Sequence, residues 1–116
     1  VHELFELTDF YNTSNLTGKN RGIITNFLDK VNIDNTDIYK EYEFIYEEDN
    51  TTYHGIIDLM LVYKDNIKII DYKLKNISDE AYLKQLNGYK DYIEKRFNKP
   101  TNIYLYSVTN NTLEKI

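Results

Sequence analysis

Two neighbouring apolar runs constrain the fold of this chain more than any other feature. They span 52–63 (TYHGIIDLMLVY) and 67–74 (IKIIDYKL), and the short turn Lys64-Asp65-Asn66 separates them. Both runs are rich in β-branched and aromatic residues, which predicts two strands joined as a hairpin. Because Ile69 and Ile70 leave this part of the strand without a polar side, we expect a sheet covered on both faces by other elements.

The rest of the pattern predicts helices around one sheet. Apolar residues recur at helical spacing in two segments, and a later segment combines an acidic first turn with a basic last turn. That last helix carries the apolar stripe Tyr82, Leu86, Tyr89, Ile93 and Phe97. The predicted elements are a short helix at 2–9, a helix from its N-cap Asn20 to about Val31, strands at 38–46, 52–63 and 67–74, a helix from its N-cap Ser78 to a point before Pro100, and a strand at 101–109. This order predicts an α/β fold with a mixed central sheet flanked by helices.

Composition narrows the function classes. The chain has 116 residues, which suits a single domain spanning 1–116. It contains no cysteine, so disulfides, thiolate metal sites, cysteine nucleophiles and cysteine-bound iron–sulfur clusters are excluded. Its formal charge is −5, which argues against holding nucleic acid by non-specific electrostatics alone but is compatible with binding a divalent cation.

Location and context are expectations from the same sequence. No apolar run approaches the ~20 residues of a membrane span, and the N-terminus lacks the pattern of a signal peptide. A cytoplasmic location is therefore expected. Since the sequence begins at Val1 without an initiator methionine, we also expect a piece of a longer polypeptide.

Charged residues interrupt both apolar runs. Asp58 lies within the first run, and Asp71 and Lys73 follow the isoleucines of the second, on the same side of the strand. A turn centred on Lys64 and Asp65 sets Asp58 opposite Asp71, whereas a turn centred one residue later sets Asp58 opposite Lys73. In either register these charges come together.

Directly opposed residues have Cβ atoms only ~5 Å apart, so two carboxylates in these positions repel each other unless a positive partner lies between them. Mg²⁺ accepts carboxylate and carbonyl oxygens and commonly serves phosphate chemistry. Lys73 beside it would orient or deprotonate a water, or stabilise charge that develops on a phosphate. The combination suits attack of water on a phosphodiester.

Four short motifs carry a resemblance to a known family. They are Gly55-Ile-Ile-Asp58, then Asp71-Tyr72-Lys73, then Gln85-Leu-Asn-Gly-Tyr89, preceded by KEYEF at 40–44. In this order they resemble the PD-(D/E)XK nuclease superfamily, and within it the RecB-type nucleases. VHELFEL at 1–7 resembles the first helix of that family, which carries a metal-binding histidine.

The resemblance implies a restriction-endonuclease-like core and a site for Mg²⁺, with Mn²⁺ as an alternative. The implied metal ligands are Asp58, Asp71, the backbone carbonyl of Tyr72, and His2. Lys73 would be the catalytic lysine, and Glu41 of the E-x-x-F strand would join the catalytic carboxylates. Gln85 and Tyr89 would support the site and the DNA strand from their helix.

The implied partners are DNA, a linked helicase domain and a second helicase-nuclease subunit. Because the cluster-bearing relatives use four cysteines and this chain has none, it looks more like the C-terminal nuclease of an AddA- or RecB-type helicase-nuclease. The implied role is that of an exonuclease in DNA double-strand break repair.

Other interpretations stay open at this point. Glu41 could be one charge of an acidic edge strand, and Tyr89 could simply fill the core. His54 lies roughly 13 Å along an extended strand from Asp58, too far to share a metal with it directly. A non-catalytic scaffold that docks onto DNA or a helicase is a rival function, as are an RNA nuclease and a restriction enzyme.

Overall fold

The computed structural model describes residues 2–72 and 80–116. Its elements are α1 (His2–Leu7), α2 (Gly18–Leu28), β1 (Asp37–Glu48), β2 (Thr51–Val62), β3 (Ile67–Tyr72), α3 (Glu80–Phe97), β4 (Thr101–Ser107) and β5 (Thr112–Lys115). None of the helices within these ranges is long and apolar enough to cross a membrane.

The strands form one mixed sheet in the order β1-β2-β3-β4-β5. Three pairs are antiparallel, and β3 pairs with β4 in parallel, with α3 connecting these two strands along the chain. A parallel pair needs a long crossover, which explains why a helix stands between β3 and β4. The predicted α/β fold is confirmed, and this architecture is compatible with a restriction-endonuclease-like core.

Helices cover both faces of the sheet. On one face Leu86, Tyr89 and Ile93 of α3 pack in a core that includes Met60 and Ile69. On the other face the buried residues of α1, α2 and the connections around them pack against the strands: Phe5, Phe10, Ile24, Phe27 and Val31. The two-sided cover expected from the apolar runs is confirmed, as is the α3 stripe, whose ends Tyr82 and Phe97 are partly buried.

Element ends differ from the sequence predictions in several places. The N-cap of α2 is Thr17 with extended backbone, so the prediction of Asn20 is wrong by three positions, and the helix ends at Leu28. The apolar face of α2 begins only at Ile23, which explains why the pattern could not set the start. The predicted cap at Ser78 lies outside the described residues.

Strand β5 was not predicted. Its residues are largely exposed apart from the partly buried Leu113, so it lacks an apolar pattern. Asn111 at φ 50° helps the chain turn from β4 into β5, a left-handed conformation that asparagine tolerates better than most residues. β4 correspondingly ends at Ser107 rather than at residue 109.

Gly55 leaves room for the ring of Phe44, which lies directly opposite it in the β1–β2 register. A Cβ at position 55 would come within 2.4 Å of the Phe44 ring. That ring is 6% exposed and is stacked on Tyr92 and Tyr46, so it has little space to move aside. The glycine of the G-x-x-D motif therefore has a packing role.

We predict that Gly55→Ala lowers the free energy of unfolding by about 1–3 kcal/mol, the usual cost of overpacking. Gly22→Ala is the matched control, because a Cβ there meets nothing within 4 Å and the position lies inside α2. Gly22→Ala should raise the free energy of unfolding by about 0.5–1 kcal/mol. Urea unfolding of both variants measures these changes, and equal stability of the two would contradict the packing role.

Candidate active site

The β2–β3 register brings the two predicted aspartates to the same level of the sheet. Pairing runs from Val62 opposite Ile67 to Leu59 opposite Ile70. One further step along this register sets Asp58 opposite Asp71. The alternative register, with Asp58 opposite Lys73, is therefore wrong.

Asp58 binds the backbone of the neighbouring strand with its side chain. Its Oδ2 accepts a hydrogen bond from the backbone N–H of Tyr72 at 3.0 Å. A carboxylate that accepts a backbone N–H gains a charge-assisted bond, stronger than one between neutral groups. The contact fixes the half-buried Asp58 beside the end of β3, next to Asp71.

The alternation of side chains breaks at Asp58 and at Glu41 across from it. Ile57 and Met60 both lie in the core on the α3 face, although a regular strand would place residues three apart on opposite faces. Glu41 has φ 48°, a left-handed conformation that is uncommon for glutamate. The β1–β2 register runs from Lys40 opposite Leu59 to Tyr42 opposite Ile57, and Glu41 and Asp58 occupy the step between. Such backbone outliers concentrate at functional sites.

Asp71 is oriented from α3. The hydroxyl of Tyr82 donates a hydrogen bond to Oδ2 of Asp71. Burial raises the pKa of the Tyr82 hydroxyl, and the bond to Asp71 and the charges of Asp71 and Asp58 raise it further. Tyr82 is therefore a neutral donor throughout the physiological pH range.

Tyr82 is the site residue that sequence reasoning missed, since the stripe pattern assigned it only to the core. The available signal was its position: it is the first residue of the α3 stripe, nearest to Asp71 along the chain. A phenol at that position can pack with its ring and still offer a donor.

Tyr72 joins the site to the opposite face of the sheet. Its ring packs on Phe5 of α1, with ring centroids 4.4 Å apart. Burial raises the pKa of the Tyr72 hydroxyl, and the negative charges of Asp58, Glu41 and Asp71 raise it further. Three carboxylates thus lie within electrostatic reach of one buried phenol. Glu41 belongs to this acidic region, as its predicted catalytic role requires.

Lys40 holds the N-terminal region against the sheet. Its Nζ donates to the backbone carbonyl of Thr8, just after α1, and lies 4.1 Å from the centroid of the Phe10 ring. Burial lowers the pKa of Lys40, although the charges of Asp9 and Glu6 oppose this. These contacts fasten the end of α1, the helix that begins at His2, to β1 next to Glu41.

The remaining predicted residues are placed as follows. Gln85 donates from Nε2 to the hydroxyl of Tyr89 at 2.7 Å, and Tyr89 is 6% exposed with its ring against Phe44. Their role in supporting a substrate stays a prediction. His54 is exposed and lies 3.4 Å from Glu43. Lys73 lies outside the described residues.

The described residues offer oxygen donors of the kind that bind Mg²⁺. They contain no cluster of three histidine or acidic side chains able to hold an ion. What they do bring together is two carboxylates, Asp58 and Asp71, at one level of the sheet, with Asp58 bound to the Tyr72 N–H. All these groups offer oxygen, the ligand atom that Mg²⁺ prefers. The donor chemistry fits Mg²⁺, and the implied histidine ligand would come from the first residue of α1.

Comparison with known proteins gives partial similarity to helicase/nuclease proteins. No protein-family model matches the sequence. The chain is 33% identical over 72 residues to an ATP-dependent helicase/nuclease subunit from Clostridium acetobutylicum, covering 56% of this chain and 6% of that protein. It is 36% identical over 83 residues to the protein of the same name from Clostridium beijerinckii, covering 65% and 7% respectively. The chain thus spans less than a tenth of these relatives, and it is similar to a short part of two helicase/nuclease proteins.

Proposed function

We propose that this chain is a divalent-metal-dependent DNA nuclease domain that hydrolyses phosphodiester bonds. The observation that carries the proposal is the convergence of Asp58 and Asp71 where β2 and β3 stop pairing. A purely structural sheet has no need to hold two half-buried carboxylates at one level, since their repulsion costs stability. The names of the two relatives, which contain the word nuclease, support the same conclusion.

Asp58 and Asp71, the carbonyl of Tyr72 and the side chain of His2 would hold the cation. Bound there, Mg²⁺ would neutralise the carboxylates and the phosphate and make a water more acidic. The chain's own residues do the positioning. The Tyr72 N–H holds Asp58, and the Tyr82 hydroxyl holds Asp71.

Lys73 would act on the water or on the phosphate. In hydrolysis the water oxygen forms a bond to phosphorus while the bond to one ester oxygen breaks. An ammonium next to the carboxylates would orient the water, take up its proton after losing its own, or stabilise the charge on the phosphate. Glu41 adds a third negative charge to this region.

A linked helicase and DNA are the proposed partners. With a formal charge of −5 the chain would hold DNA weakly by itself, because non-specific affinity for DNA depends on neutralising phosphates. A helicase in the same polypeptide would deliver the strand and raise its local concentration at the site. The similarity to a short part of two helicase/nuclease proteins supports this arrangement.

Asp71→Asn should abolish Mg²⁺-dependent cleavage of DNA and leave the fold intact. The amide keeps an oxygen for the Tyr82 hydroxyl but removes one of the crowded charges, so stability without metal should equal or exceed that of the wild type. Cleavage of end-labelled single-stranded and linear duplex DNA measures the first effect, and a melting curve the second. Asp65→Asn, in the exposed turn, is the control that should cleave normally. Cleavage by Asp71→Asn at the wild-type rate would contradict the proposed role of Asp71 in metal-dependent cleavage.

Mg²⁺ should raise the melting temperature of the wild type but not of Asp58→Asn. A ligand that binds only the folded state stabilises it by mass action, by about 2.7 kcal/mol at a hundred times its Kd. Glu43→Gln, an exposed carboxylate on β1, is the control and should keep the full shift. An undiminished shift in Asp58→Asn would mean that the metal binds elsewhere.

Lys73→Ala should slow cleavage by roughly 10²- to 10⁴-fold, the usual contribution of one proton-transfer or charge-stabilising group. Since the lysine is not among the proposed ligands, the Mg²⁺-dependent shift in melting temperature should persist. Lys64→Ala, in the exposed turn, is the control. Loss of the metal shift together with activity would show that Lys73 only holds the carboxylates in place.

A further inference from the structure

A series of nearly parallel aromatic rings runs from α3 out along the β1–β2 hairpin. Tyr92 stacks on Phe44 at 13° with centroids 4.7 Å apart, and Phe44 stacks on Tyr46 at 27°. Tyr46 in turn stacks on Tyr53 at 18° and 5.2 Å. Phe44 is buried whereas Tyr53, the last ring of the series, is 42% exposed. The series begins in the core and ends with a ring at the surface.

A shallow cavity of about 370 Å³ lies beside the outer two rings. Its volume falls within the usual range of small-molecule sites. It is lined by Tyr46, Glu48, Tyr53, Ala81, Lys84, Gln85 and Gly88. A Cβ at Gly88 would lie 3.0 Å from the Tyr46 hydroxyl, so the glycine leaves space for that phenol on the cavity wall.

The cavity and the candidate active site share one segment of α3. Ala81 and Gln85 lie on α3 on either side of Tyr82 in the sequence, and Tyr82 donates to Asp71. On β2, Tyr53 and Asp58 lie roughly 17 Å apart along an extended strand. At a stacked spacing of roughly 3.4 Å per nucleotide, that distance corresponds to about five nucleotides.

We propose that this cavity binds an unpaired base of a single-stranded nucleic acid, stacked on Tyr53 and next to the hydroxyl of Tyr46, while the strand runs on to Asp58 and Asp71. The inference rests on the proposed nuclease function and adds the form of its substrate. Every base offers a π-face, so stacking holds a strand without reading its sequence. Bases of a duplex already stack within the helix, so the cavity suits a separated strand.

The two charged residues at the cavity determine on which side of it the phosphates of a bound strand would lie. Lys84 stands on the α3 side, where a phosphate would be attracted, and Glu48 stands on the hairpin side, where it would be repelled. Phosphates are therefore placed along α3 and bases toward the hairpin. This arrangement favours a nucleic acid over an apolar protein segment, which would gain nothing from the lysine.

The test measures binding in EDTA, so that no cleavage occurs. A fluorescently labelled short oligothymidylate is titrated with the 116-residue chain, and anisotropy gives the Kd. Tyr53→Leu should weaken binding about 5- to 150-fold, the range for loss of one base–aromatic stack. Tyr53→Phe keeps the ring and should bind like the wild type. Tyr39→Leu is the matched control, because Tyr39 is a similarly exposed tyrosine, 39% against 42%, elsewhere on the hairpin.

Two further readouts locate the strand. A 2-aminopurine placed at successive positions of the oligonucleotide should be quenched at one position by the wild type and by Tyr53→Phe but not by Tyr53→Leu. Lys84→Gln should reduce the slope of log Kd against log salt by about one. Unchanged affinity of Tyr53→Leu overturns the inference, as does failure of the wild type to bind the oligonucleotide at low salt, where the weak binding expected of a chain with charge −5 is strongest, or equal competition by a duplex.

The binding and cleavage results together distinguish failure of this inference from failure of the proposed nuclease function. Mg²⁺-dependent cleavage with normal binding by Tyr53→Leu would keep the nuclease and remove the stacking cavity. Tyr53-dependent binding without any cleavage would keep the cavity and remove the nuclease. A bound protein segment instead of a nucleic acid would show as displacement by peptide and not by oligonucleotide, and it would also overturn the inference.

Discussion

The hydrogen bond from the Tyr72 N–H to the Asp58 carboxylate is the contact on which the rest of this site depends. It lies where the β2–β3 ladder ends, so a side chain of one strand takes a backbone donor of the next. Without it, the Asp58 carboxylate would lack this bond to the neighbouring strand. With it, Asp58 is fixed beside Asp71, and the two carboxylates repel each other unless a positive charge lies between them. The two hydrophobic cores support this contact, because they pack against β2 and β3 from both faces of the sheet.

Each carboxylate is supported from a different layer of the fold. Asp71 receives a hydrogen bond from α3 through Tyr82, whereas Asp58 is bound through the Tyr72 backbone, whose side chain packs on α1. The three-layer architecture therefore positions both groups, and the left-handed Glu41 marks where the sheet departs from regularity to admit them. Side chains held by rigid elements lose little freedom when they bind an ion, so this arrangement would suit the proposed cation.

Local patterns in the sequence predicted four of the five described strands, the helices and the pairing of the two aspartates. The two apolar runs around a short turn left two possible β2–β3 registers. Both registers set Asp58 opposite another charged residue. What the pattern could not show was the break in alternation at Glu41 and Asp58, because hydrophobic periodicity assumes a regular strand. Nor could it show that Tyr82 donates a hydrogen bond to Asp71, since a tyrosine on an apolar stripe looks the same whether or not its hydroxyl is used. β5 was missed for the opposite reason: its pairing uses backbone groups, and its side chains carry almost no apolar signal.

The central claim is that Asp58 and Asp71 together hold a divalent cation. Anomalous diffraction from crystals of the wild-type chain grown with Mn²⁺ tests it most directly, because the scattering locates the ion without reference to activity. We expect a peak bound by one carboxylate oxygen of Asp58 and one of Asp71, next to Tyr72 at the end of β3. An ordered Mn²⁺ bound only at other acids, such as the exposed group at Glu47, Glu48 and Asp49, would contradict it.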